Sequence, residues 1–265
     1  MGIIKNIKMI VKYLELSYKK IKEYNIELIY ALLVAFVNVI GFPIIWFLLT
    51  HGGKRAINTW TFPELVFVSL ILGIIYSFLD LIGLWDVWKT AFSEGRVVMV
   101  RYLTKPANFF LQLFGENFYV GDLLRVALYI LIMAYVIFTY NVPLYPNIFY
   151  LLMFFIFGFI VMLLLLLIAI NTFLLYDQSA RAVPEILWSF LGYASIPVDA
   201  AKDIAGFILN YIIPVAFIAL IPAKAFFEGT SIIVILSYIF IVIALVFINY
   251  YMWKKALRKF EAVGG

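Results

Sequence analysis

Val126 to Tyr176 runs for 51 residues without a single Asp, Glu, Lys or Arg. One bilayer crossing takes about 20 residues, so this stretch alone predicts more than one membrane-spanning helix. Across the chain, 66% of residues are hydrophobic and 13% charged, whereas a soluble domain has roughly half and a quarter. No water-soluble core could bury so much apolar side chain, and the expected fold class is an all-α membrane protein. The absence of cysteine excludes disulfides, thiol catalysis and Cys-ligated metals, and the single histidine, His51, excludes a His-rich metal site. The start, Met1-Gly2-Ile3-Ile4-Lys5-Asn6, lacks a signal-peptide pattern and, with Asn at position 6, the myristoylation pattern.

Residues 1–25 are patterned differently. Ile3, Ile7, Ile10, Leu14, Tyr18 and Ile21 recur every three or four positions, while Lys5, Lys8, Lys12, Lys19 and Lys22 keep the same period on another face. Such a basic amphipathic helix is expected to lie in the membrane interface, each lysine contributing about 1 kcal/mol against anionic lipid. The single transmembrane domain that follows, residues 26–265, holds spans expected at about 28–50, 62–84, 118–140, 148–170, 178–195 and 231–253. Asp122 and Arg125, three apart at the start of the third, can pair on one helical face.

A seventh apolar segment, Ile204 to Ala223, is broken by Pro214 and Pro222. Six lysines precede the first span, and Lys254, Lys255, Arg258 and Lys259 follow the last. Cytoplasmic flanks are enriched in Lys and Arg, so both termini read as cytoplasmic and the number of crossings must be even. The segment around Pro214 is therefore expected to be a re-entrant hairpin, at about 198–226, bounded by Pro197 and holding Pro214 and Pro222. With six spans, sixteen of the 20 Lys and Arg residues fall on the cytoplasmic side. The net charge of +5 thus points to lipid, and no nucleic-acid partner is expected.

Catalytic signatures are missing. No phosphate-binding GxxxxGK[ST] loop and no HExxH occur. Asp80 is the only acid well inside an apolar run and, four residues from the end of its helix, is expected at headgroup level in an interfacial or helix-packing role. Proton-coupled transporters bury several ionisable groups at mid-depth; these spans hold almost none. The aromatic pairs Phe109-Phe110, Phe154-Phe155 and Phe226-Phe227 are expected to face lipid, and Trp46, Trp60, Trp188 and Trp253 to form the interfacial belt.

The cytoplasmic loop 85–117 is, at 33 residues, longer and more apolar than a solvated linker needs. Its centre, Gly95 to Pro106, has the form G-x-x-x-x-x-R-x-L-x-x-P. With two further blocks, it resembles the permease subunits of type-two ATP-binding-cassette exporters, six-span branch. One block is Ile196-Pro197, then Tyr211 to Phe217 and Ile221-Pro222-Ala223; the other is the W-x-x-x-L-x-x-[FY]-x-x-x-G closing pattern from Trp253.

The resemblance implies a prokaryotic plasma-membrane permease with an N-terminal interfacial helix and a re-entrant hairpin between spans five and six. It implies pairing as a homodimer or heterodimer and binding of two copies of a cytosolic ATPase subunit, which would hold the ATP and magnesium; this chain is expected to be no enzyme and to carry no cofactor. Glu94, Gly95, Arg96, Arg101, Lys105 and Pro106 become the ATPase-coupling residues. A second contact near Asp177 and Arg181 is implied, although the loop after the fourth span is very short here. The alternative reading is a non-ATP-driven channel or assembly scaffold.

Overall fold

The computed structural model of the protein describes residues 3–23, 25–57, 59–84, 86–88, 102–105, 109–141, 147–176, 182–196 and 213–258. Among them no β-strand forms; one isolated bridge joins Ile57 and Trp60 in the first loop. The helices are α1 (Ile3–Glu23), α2 (Asn25–Leu49), α3 (Phe62–Leu81), α4 (Phe109–Glu116), α5 (Asp122–Thr139), α6 (Asn147–Tyr176), α7 (Ala182–Leu191), α8 (Leu220–Glu228) and α9 (Ile232–Arg258), with 3-10 turns at Gly192–Ser195 and Val215–Phe217. Hydrocarbon offers no partner to a bare N–H or C=O, so a crossing segment must satisfy its backbone internally, which the α-helix does.

Five of these, α2, α3, α5, α6 and α9, are long and apolar enough to cross a membrane. The fifth expected span, 178–195, holds the ten residues of α7 and the 3-10 turn after it; residues 177–181 lie outside the described residues. Span ends also differ from expectation. The fourth was expected to stop at Ile170, but α6 continues to Tyr176 for 30 residues, about 45 Å at 1.5 Å per residue. No charge or proline interrupts it before Asp177, and a helix need not stop where the hydrocarbon does. The last span likewise continues from Trp253 to Arg258. The second ends at Leu81, at a turn where Gly83 has φ +67°.

α3 is the central helix. Inside the protein 72% of it is buried, against 17% of the apolar windows of α2 and α9. It packs on α5, α2, α8 and α6, while α6 makes its largest contact with α9. Its start is well specified: Thr61 N donates to the Glu64 carboxylate at 2.6 Å, and Pro63 stands in the first turn, where its missing N–H has no intrahelical partner to lose.

Of the hairpin expected at about 198–226, residues 213–226 are described, and Pro197, which bounds it, is not. Pro214 opens the 3-10 turn, and Pro222 sits in the first turn of α8, a position a proline tolerates. The limb is seated deep in the bundle. Tyr238 of α9 donates its hydroxyl to Phe217 O at 2.7 Å, and Gly158 of α6 lies so close that a Cβ there would come within 2.3 Å of Ile218 O. Phe67 and Phe226 stack at 4.7 Å, with Phe227 edge-on to Phe67. Phe154 and Phe226, expected to face lipid, are therefore fully buried, and Trp46 and Trp60, expected in the interfacial belt, are buried as well. Trp46 Nε1 instead donates to Ser69 Oγ at 2.9 Å.

One amide pair pins α6 to α9. Asn171 Nδ2 donates to Asn249 Oδ1 at 3.0 Å, and Asn249 Nδ2 donates to Leu164 O and Leu245 O at 3.0 and 2.9 Å. Asn249→Ala strands the Asn171 amide and is expected to lower stability by about 1–2 kcal/mol. Asn171→Leu with Asn249→Leu should recover part of that loss, since neither polar group is left without its partner. Reversible unfolding in mixed micelles measures both; a single variant as stable as the parent contradicts the pinning.

Candidate functional site

The Gly83 turn and the segment before α5 meet backbone to backbone. Tyr119 N donates to Leu81 O at 3.1 Å, and a Cβ on Gly83 would lie 2.2 Å from Asn117 Cβ. Deeper in, a Cβ on Gly73 would lie 2.2 Å from the Tyr129 ring, so α3 and α5 approach as closely as glycine allows. This juxtaposition brings Asp80, one residue before the end of α3, against Arg125 in the first turn of α5.

Arg125 is shared by two carboxylates. Its Nη2 donates to Asp80 Oδ2, and its Nε lies 3.2 Å from Asp122 Oδ1 in an orientation that makes an ion pair without a hydrogen bond. The Arg125, Asp80 and Asp122 side chains are only 16%, 20% and 7% exposed. The expected Asp122–Arg125 pair is thus present. The cross-helix partner Asp80, expected at headgroup level, is the part that the i,i+3 spacing could not reveal.

Next to the triad lies a cavity of about 390 Å³ between α2, α3, α5 and the α7 end, within the range of about 300–1,000 Å³ typical of ligand pockets. α3 supplies Ser69, Gly73, Tyr76, Ser77 and Asp80. Their spacings of four, three, one and three make one helical face, and this small and polar stripe was the sequence signal for the cavity. Asn38, Arg125, Tyr129, Trp188 and Ser195 complete its polar and aromatic wall. A second space of about 420 Å³ between α3, α5 and α6 is lined, among the described residues, by apolar side chains alone.

At the same end of α3 and α5, the described residues between those helices gather α1 and the end of α9. Val120 N donates to Ser17 Oγ of α1 at 2.8 Å, Tyr13 packs on Gly115, and Phe109 of α4 stands 4.7 Å from Trp253 near the end of α9. Burial, and secondarily the Glu116 carboxylate, push the Tyr13 phenol above its ordinary range. Of α1's apolar stripe, Ile10, Leu14 and Tyr18 are exposed while Ser17 is buried. Lys105, an expected coupling residue, pairs with Glu116 at 2.6 Å and lies over the Tyr102 ring. Glu94, Gly95, Arg96, Arg101 and Pro106 lie outside the described residues, as do Asp177 and Arg181.

Five helices long and apolar enough to cross a membrane, three of which line a cavity with a polar face, define a multi-pass membrane protein. Residues 32–264 match the ABC-2 family transporter protein family, and the chain belongs to that family. No curated protein and no solved structure matches it.

Arg125→Gln leaves two carboxylates facing each other in a poorly solvated site, with an expected loss of about 3–5 kcal/mol. Asp122→Asn keeps the Asp80–Arg125 hydrogen bond, and its expected loss is about 1 kcal/mol. Thermal unfolding of both variants in detergent separates them; equal losses contradict the shared-guanidinium arrangement.

Proposed function

We propose that the chain is the membrane-spanning permease subunit of an ATP-driven exporter, which forms the translocation path as a homodimer or heterodimer of permease chains. The family match over residues 32–264 carries this reading. ATP and magnesium are bound and ATP is hydrolysed in two copies of a separate cytosolic ATPase subunit; this chain does no covalent chemistry and has no cofactor of its own.

In this reading the chain crosses the plasma membrane of a prokaryotic cell six times, with both termini cytoplasmic. The five long helices leave one crossing for the segment that carries α7. The gathering of α1, α4 and the basic end of α9 at one end of the bundle supports placing both tails on one face. At the opposite end, Lys224 of α8 lies over the ring of Trp60 in the first loop, which supports a hairpin entering from outside. The exposed stripe of α1 then rests on lipid.

The loop 85–117 is the coupling element, and Glu94, Gly95, Arg96, Arg101, Lys105 and Pro106 form its ATPase contact. It is held between α3 and α5, the two helices that Arg125 ties together. When the ATPase closes on ATP, pressure on the loop therefore moves α3 and α5 as one body and reshapes the path between permease chains.

Affinity purification of the full chain from its native membrane is expected to bring down a cytosolic ATPase. Charge reversal at Arg96 and Arg101 together should reduce the recovered ATPase by about tenfold, the effect of 1.4 kcal/mol, with the permease yield unchanged. A chain that is stable alone, with no ATPase partner and no effect of the double reversal, contradicts the proposal.

A further inference from the structure

We propose that the cavity between α2, α3, α5 and the Gly192–Ser195 turn is a binding site for a lipophilic organic cation. The inference deepens the permease reading, on which it rests for the idea that the occupant is cargo, by naming the charge of that cargo.

Three observations converge on the sign. Among the described residues lining the cavity, Arg125 is the one cation, and its guanidinium is already held between the carboxylates of Asp80 and Asp122. An anionic ligand would have to compete with both for it. Second, the formal charges described at that corner are the two carboxylates of Asp80 and Asp122 against the one guanidinium of Arg125, so added positive charge is favoured there over added negative charge. Third, Phe42, Tyr76, Tyr129 and Trp188 all line the space. Aromatic faces attract cations through the ring quadrupole, most strongly where water is scarce, and clusters of them are the usual receptors for quaternary ammonium groups.

Size and wall chemistry fit the same class. A volume of about 390 Å³ takes a small organic molecule rather than a bare ion. Leu72, Val34 and Ala35 add apolar surface to the lining, which suits a cation whose charge is carried on a hydrophobic body. An ionisable pair inside the spans, moreover, is by default a functional feature.

Gly192 gives a clean way to close the site. It lines the cavity, and a Cβ built on it meets nothing within 4 Å, so Gly192→Phe adds bulk to the wall while leaving every residue of the ion triad in place. The test uses the purified full chain in nanodiscs of neutral lipid, with tetraphenylphosphonium and tetraphenylborate as a size-matched cation and anion. Equilibrium dialysis against empty nanodiscs removes simple partition. Saturable binding of tetraphenylphosphonium is expected, weakened at least tenfold by Gly192→Phe and by Asp80→Asn, with no saturable binding of tetraphenylborate. Should Asp80→Asn not fold, as judged by thermal unfolding, Gly192→Phe and the cation–anion comparison decide alone. The proposal is overturned by no saturable cation binding to the folded chain, by anion binding as tight as the cation's, by cation binding indifferent to Gly192→Phe, or by a folded Asp80→Asn that binds as the parent does. No ATPase or transport enters this readout, so its failure leaves the permease reading standing, and a failed ATPase copurification leaves the binding result standing.

Discussion

Hydrocarbon supplies no hydrogen bonds, and every polar group that α2, α3, α5, α6 and α9 carry into the membrane has to find its partner within the protein. The described spans obey this closely. Ser69, Ser77, Thr139, Thr172 and Ser237 each donate back to the carbonyl four residues earlier. Asn171 donates to Asn249 across α6 and α9, and Asn249 in turn donates to the carbonyls of Leu164 and Leu245. Tyr238 reaches the backbone of the hairpin turn. The charged exception, Arg125 with Asp80 and Asp122, is drawn together for the same reason, because a lone charge at that depth is far more costly than a pair. The polar contacts fix which helices meet; the apolar side chains, equally at home in lipid and in protein, fill what remains.

That last point decides how much of the fold was legible in the amino-acid sequence. Apolar runs located the five long helices because no other structure can carry such runs across a bilayer, and the three-and-four spacing before residue 25 marked α1. Which face of a span meets protein was not legible. Phe154 and Phe226 look like lipid-facing residues in the sequence and are core residues in the structure. In water a buried phenylalanine is distinguished by its apolar character. In a membrane both environments select for it, and the better pointers were Gly73 and Gly158, small residues where a neighbouring ring or backbone fills the missing Cβ position. Span ends were legible only where a charge or turn residue stops the helix, so α6 ran past its expected end at Ile170 to Tyr176.

The site divides along similar lines. The Asp122–Arg125 pair follows from local spacing. The Asp80 contact needs two helices that a 33-residue loop separates, and only the antiparallel return of the chain from α3 to α5 creates it. The polar face of α3 was present in the sequence as Ser69, Gly73, Tyr76, Ser77 and Asp80, but on a helix with apolar residues on every other side it has meaning only once α2, α5 and the α7 end are seen around it. The loop that the family resemblance makes the coupling element lies mostly outside the described residues; its anchor points on α1, α4 and α9 are within them.

The proposed topology puts both basic tails of a hydrocarbon-solvated bundle on the cytoplasmic face, and the chain's lack of cysteine makes this directly measurable. Single cysteines introduced at Gly2, Lys54 and Gly264 can be probed in intact cells with a membrane-impermeant maleimide, then again after the membrane is opened. The account predicts that Lys54→Cys is modified from outside, and that Gly2→Cys and Gly264→Cys react only once the cytoplasm is exposed. Modification of the two tails from opposite faces of the membrane would contradict it.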